Sequence, residues 1–529
     1  MRNRSASFHR YLACLLLVLT PHAVQAQQPM SAIDWLESGN GISDLPGGLT
    51  MAAPPYPLSV PLDEPAVADA ITVPTVTTRP LDAPQVGAVG LLPRSVTGLP
   101  DTLWQASQGR RLIRLLTTLD ASASPAMQSL LYTLLLAEAE PPLDDPGGVG
   151  FLSARIEMLT RMGAVDPALA LADRADPTSH RDLFALWFDL ALLSGEENRA
   201  CEAMIAAPTL APSVTSLSFC RARLGDWDTA ALTFASASAL GSLPKPEERL
   251  LRLYLDPDLA DEAPPLPPPA QMTPLAFRLA ESIGQPVPTT GLPRAYAVSD
   301  LRGLAGWKAE VEAAERLARS GALAENRLIG IYTAREPAAS GGIWDRVELI
   351  QQLDSAIAAN SADDISATLP DAWAAIRAAR LELPFARLWG GRFDIATLSA
   401  PARRAAFELA LLSPEYETLA RDLTPRTDRD RFLLTLAAGT PDATLAPDTK
   451  AQAITRGFSG EVDLPPSLRL NLRQDQLGEA VLVAMAHFLS GVQGETKDIP
   501  PALAAFRAVG LEDLARRSAL QLMILDRRL

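Results

Sequence analysis

Lysine, histidine and cysteine are scarce. The 529 residues include four lysines, four histidines and three cysteines, and aromatic residues make up only 5% of the chain. So few aromatic residues, beside abundant alanine and leucine, exclude a strand-dominated sandwich and favour helices. His180 and His487 lie 307 residues apart, and neither has cysteines or carboxylates nearby at ligand spacing, so no metal centre is predicted. His180 reads as a helix cap and His487 as a packed or rim residue. Phosphate-cradling Gly-Lys-Ser/Thr, His-Glu-x-x-His and Gly-x-Ser-x-Gly are all missing, and Gly148-Val149-Gly150, preceded by Pro146 and no strand, reads as a loop. No catalytic, cofactor-binding or metal-binding residue is therefore predicted. The net charge of −15 argues against nucleic acid, whose binding needs clustered Lys and Arg to release counterions.

What is present begins with an address label. Arg2, Arg4 and Arg10 precede a nine-residue apolar run over 11–19, then Pro21 and the small-residue end Val24-Gln25-Ala26, the pattern of an export signal cleaved after Ala26. Cleavage removes Cys14, His9 and His22, and takes the net charge from −15 to about −18. Beyond the leader, the longest uncharged apolar stretch, 480–489, is far short of the roughly 20 residues a bilayer span needs. The mature chain is expected to be periplasmic or secreted, with no membrane span.

Proline sets the next boundaries. Residues 27–100 hold twelve prolines and read as an extended or disordered arm, because proline lacks a donor and pushes its predecessor out of the α region. Within the arm, Trp35 on a short helical piece is a candidate for docking, either on its own protein or on a partner. Helical periodicity rules from 101 to 255, with segments near 112–119, 126–139, 151–162 and 183–193 separated by short turn signals. Prolines return over 256–294, which reads as a hinge with one helical piece from 274 to 283, and a second helical region covers 295–529.

One spacing recurs in the first helical region: Gly163, Ala168, Ala172, Ala175; Gly195, Ala200, Met204, Ala207; and Gly225, Ala230, Phe234, Ala237. Glycine can end a helix in the left-handed conformation, and alanine lets the next helix pass close to its partner. The third copy, from Leu224 through Trp227 to Phe234, resembles the turn and second helix of a tetratricopeptide repeat. Arg221 stands where that family has an aromatic residue. A plain helical hairpin would give the same spacing, and the resemblance covers about residues 150–240, with a weaker echo at Gly510, Ala515 and Ala519. It implies an all-α solenoid, or superhelix, of antiparallel helix hairpins in two halves, whose face binds proteins or peptides and performs no catalysis.

Two cysteines survive export, an even number in an oxidising compartment. With helices near 198–207 and 213–224 and a turn near 210, an antiparallel pair sets residue 201 opposite about 219, which predicts a Cys201–Cys220 disulfide. Three further features complete the reading. Glu312, Glu315, Arg316 and Arg319 read as a solvated helix face. Trp344 reads as a turn anchor or a partner-docking residue, and Trp373 and Trp389 as core. Ala280-Glu281-Ser282 superficially resembles the catalytic segment of soluble lytic transglycosylases, but the downstream motif of that family is absent. The expected function is an exported, non-enzymatic scaffold or adaptor for proteins or peptides of the cell envelope. The alternatives are a wall-active enzyme using Glu281 or a purely structural protein.

Overall fold

A left-handed residue ends helix after helix. Gly163, Gly195, Gly225, Gly439 and Gly510 have φ between +83° and +93°, and Asn360 and Arg380 take the same turn at +51° and +58°. The next N–H then reaches back to the last helical turn, as in Ala164 to the Leu159 carbonyl and Leu381 to the Ile376 carbonyl, both 2.9 to 3.1 Å. Carbonyls that would be orphaned at each helix end are satisfied this way, and the chain reverses within two or three residues.

The computed structural model describes residues 86–525 apart from Pro146, Ala338 and Glu461. The leader and Trp35 lie outside the described residues. Twenty-six α-helices and nine 3-10 turns make up the regular structure there, and the one β-type contact among the described residues is an isolated parallel bridge between Leu92 and Ala137. The protein is all-α. All described residues belong to one compact unit with a continuous apolar core.

The periodic segments fold as helices close to their expected bounds: Gly109–Thr118, Pro125–Leu136, Val149–Met162 and Arg181–Ser194. The expected loop at 148–150 is instead a helix start, with Gly148 at the N-cap and Val149 in the first turn. The stretch 256–294 carries two helices, Pro257–Glu262 and Pro274–Ser282, and the second packs on Arg181–Ser194 and Lys245–Leu255. Leu275, Ala276, Phe277 and Leu279 bury its inner face, so the core continues through this segment. Residues 86–100 also pack: Val86, Val89 and Leu99 are buried, and Leu91 and Leu92 both donate to the Leu136 carbonyl.

Buried charges tie helices together. Arg155, with no exposed surface, donates to the Leu135 and Ala137 carbonyls at 2.9 Å, at the negative end of helix Pro125–Leu136. Burial lowers its pKa to about 10, still high enough to keep the charge. Glu315 overturns the expectation of a solvated face: it is 2% exposed and accepts from Arg319, Arg346 and the Tyr332 hydroxyl, while Arg316 reaches the Thr289 and Leu292 carbonyls. Alternating charges at helical spacing read as exposed only while neighbouring helices are unknown. Trp373 and Trp389 are core, and the Trp373 ring nitrogen donates to Glu408.

Helices from near the two ends of the described residues meet. Helix Leu477–Gln493 packs on Gly109–Thr118, and helix Glu512–Ile524 on Pro125–Leu136. Gly478 makes this possible: its N–H donates to the Leu103 carbonyl, and an added Cβ would sit 2.4 Å from the Trp104 ring. Arg111 pairs with the buried Glu479 next to it, and Gln521 accepts from the Ala126 N–H at 2.8 Å.

Candidate binding site

The residues of the recurring spacing come together as three helical hairpins: Val149–Met162 with Val165–Arg174, Arg181–Ser194 with Glu197–Ala206, and Val214–Arg223 with Trp227–Ala239. Gly163, Gly195 and Gly225 each have positive φ at the turn or helix end. Ala168, Ala200 and Ala230 are each fully buried where the second helix of a pair crosses the first. At the third crossing the Ser218 hydroxyl donates to the Ala230 carbonyl at 2.8 Å, a distance that a bulkier residue at 230 would open. Ala237 is buried, and Phe234 is half-buried beneath the Arg252 guanidinium. The echo near the C-terminus folds alike, with Gly510 between helices Ile499–Ala508 and Glu512–Ile524 and with Ala515 and Ala519 buried.

Cys201 and Cys220 form the disulfide, Cα atoms 4.8 Å apart, between helix Glu197–Ala206 and helix Val214–Arg223. Both are fully buried. The same two helices share an ion cluster: buried Glu197 pairs with Arg223 at 3.2 Å and with Arg278, from helix Pro274–Ser282, at 2.9 Å.

The third hairpin is the most open part of this array. Trp227 is 45% exposed against Tyr254, while Leu232 and Leu240 on the same helix and its end are 67% and 82% exposed. Trp344 has a different setting: it leans on Trp307 with ring centroids 4.9 Å apart, and the Trp307 ring nitrogen donates to the Ile331 carbonyl. Glu281, in the last turn of its helix, has both carboxylate oxygens engaged, one by Arg278 and one by Arg302, each at 2.5 Å. His180 caps a helix by accepting from the Asp182 N–H, and His487 stands at a rim beside Asp498.

Two cavities of about 400 Å³ each went unanticipated from the sequence. One is lined by Arg294, Arg319, Arg380 and Glu382 together with apolar side chains such as Phe488 and Leu522. Loss of water lowers the pKa of Arg294, and the Arg316 charge adds to this, while Asp120 opposes it. The other cavity is lined mainly by apolar side chains, with the half-buried carboxylate of Asp189 among them. The signal for it was present in the sequence: Asp189 is flanked by Phe188 and Leu190 inside a helix that is otherwise apolar from Leu183 to Leu193, apart from its own charge. Arginines at 294, 319 and 380 are too far apart in sequence to suggest a common cavity.

Among the described residues, no group of three or more His, Cys, Asp or Glu is placed to hold a metal ion, and no helix is long and apolar enough to cross a membrane. In comparison with known proteins, the chain matches no family, no curated protein and no solved structure.

Proposed function

We propose that the protein is an exported, non-enzymatic scaffold or adaptor that binds protein or peptide partners of the cell envelope. The carrying observation is the open third hairpin, with Trp227, Leu232 and Leu240 left in water on and at the end of its second helix while its first helix is tied to the preceding hairpin by the Cys201–Cys220 bond and the Glu197 cluster. An apolar surface anchored in this way binds with little ordering cost, which suits it to recognition. The tetratricopeptide-like reading of residues 150–240, and a solenoid built from such hairpins, draw support from the left-handed glycines and the buried alanines at each crossing. The leader over 1–26 and the disulfide both favour an oxidising compartment, periplasmic or extracellular. The wall-active alternative loses ground at Glu281, because a general acid needs an oxygen free to carry a proton to substrate and both of its oxygens face guanidinium groups.

Site-specific photo-crosslinking tests the proposal. A photoreactive residue at position 232, in the producing cells, is expected to trap a defined envelope protein that a probe at the exposed Glu202 does not trap, and Leu240→Asp is expected to weaken the adduct. No adduct from 232, or the same set of adducts from both positions, overturns it.

A further inference from the structure

We infer that the cavity beneath helices Val149–Met162 and Arg181–Ser194 is a binding site for an amphipathic amine, with the apolar body on the walls and the ammonium on Asp189. The walls come from four segments far apart in sequence: Ala154 on the first helix, Leu190 and Leu193 on the second, Pro274 at the start of helix Pro274–Ser282, and Ala295 in the turn Arg294–Tyr296. The volume of about 400 Å³ falls in the range of small-molecule sites, and few but convergent polar groups on apolar walls are what such sites share.

The polar groups fix the sign of the ligand. Asp189 accepts no hydrogen bond and has no ion-pair partner among the described residues. The buried carboxylates described above are all paired, Glu197 with two arginines, Glu315 with two and Glu408 with Arg377, whereas the half-buried Asp189 is not. Glu157 stands at the rim of the cavity and Glu247 adds a second negative field at Asp189. Arg161, the one cation lining it, is committed elsewhere, donating to the Leu116 carbonyl at 2.7 Å and the Thr117 carbonyl at 2.9 Å at the end of helix Gly109–Thr118. The Tyr296 hydroxyl donates to the Met272 carbonyl, so it offers a ligand only its oxygen. From helix Pro274–Ser282 only Pro274 lines the cavity, and that helix's Arg278 is held by Glu197 and Glu281. An anion would meet Asp189, Glu157 and Glu247, with only Arg161, already turned to two backbone carbonyls, to offset them. An ammonium supplies the donors and the charge that Asp189 lacks.

Desolvation, reinforced by Glu247, pushes the Asp189 carboxyl up to about 7. Binding of the amine, which needs the carboxylate, is therefore expected to strengthen about tenfold between pH 6 and pH 8.

The test is calorimetric titration of the full oxidised chain with octylammonium, octanol and octanoate at pH 8. Octylammonium is expected to bind at least tenfold more tightly than octanol, and octanoate more weakly than either. Asp189→Asn, which keeps the shape of the side chain, should weaken the amine at least tenfold and leave octanol unchanged. Ala154→Leu, which fills the cavity, should weaken both. The inference is overturned if octanol or octanoate matches the amine, if none of the three binds at millimolar concentration, or if Asp189→Asn leaves the amine affinity as it was. Neither the crosslinking at 232 nor its outcome bears on this result.

Discussion

Asp189 and Glu197 stand eight residues apart, on either side of the turn at Gly195, and both have lost much of their water. Around Glu197 the fold brings in Arg223 from the third hairpin and Arg278 from helix Pro274–Ser282, so the carboxylate joins three helices. Around Asp189 it brings in leucine, alanine and proline, with no cation to spare. The two neighbourhoods show one chain treating buried charge in two ways. A paired carboxylate fixes the arrangement of helices, whereas an unpaired one weakens the folded state and is intelligible if something outside the chain completes it. The arginine-walled cavity is the mirror case, equal in volume and opposite in sign, so charge and not size separates what each could take.

Breaking the paired side should have the largest effect. Glu197→Ala removes the buried carboxylate between the partly exposed Arg223 and Arg278 guanidinium groups and is expected to cost about 3 kcal/mol, read by urea unfolding of the oxidised chain. A cost below about 1 kcal/mol would mean that Glu281 alone satisfies Arg278. Removing the disulfide with Cys201→Ser and Cys220→Ser is expected to cost roughly 3 kcal/mol through the freer unfolded chain. Because the bond joins the two helices that Glu197 and Arg223 also join, its loss and Glu197→Ala should combine non-additively in a double-mutant cycle.

The unpaired side should respond with the opposite sign. Since the Asp189 carboxyl titrates at about 7 in the folded chain and near 4 when unfolded, the folded state keeps a proton that the unfolded state has released across that window. Stability from this group is therefore highest below about pH 4, falls as pH rises toward 7 and is constant above. Asp189→Asn removes the penalty. The full displacement would be worth about 4 kcal/mol, but the carboxylate faces a cavity with an exposed rim, so a gain of about 2 kcal/mol is expected at pH 8 and almost none at pH 4. A loss of stability at pH 8 would show that the carboxylate has a partner. The smallest effect belongs to the third hairpin: Leu232→Ser should change stability by less than about 0.5 kcal/mol, because the side chain buries little. A larger cost would mean that this leucine packs on its own chain and is not free to meet a partner.

Helix positions, the glycine turns and the cysteine pairing were legible because each depends on residues close in sequence. Gly225 ends a helix wherever the hairpin sits, and Cys201 opposes Cys220 once the turn between them is placed. Glu315 was misread because its partners Tyr332 and Arg346 come from later helices. Asn360 and Arg380 make the same left-handed turn as the glycines, but a residue type that only tolerates that conformation leaves no mark in the pattern. This is one reason why the recurring spacing fades after residue 240.

Composition and short-range order alone made this an all-α chain of hairpins with one sulfur bridge, since helix propensity, capping and antiparallel opposition act over a few residues. Only the tertiary structure brought Gly478 against Trp104, joined Glu197 to Arg278, and left Asp189 on a largely apolar cavity with no cation paired to it. Those outcomes depend on which distant helices meet, and the energies that select among such meetings reside in packing and desolvation over the whole core.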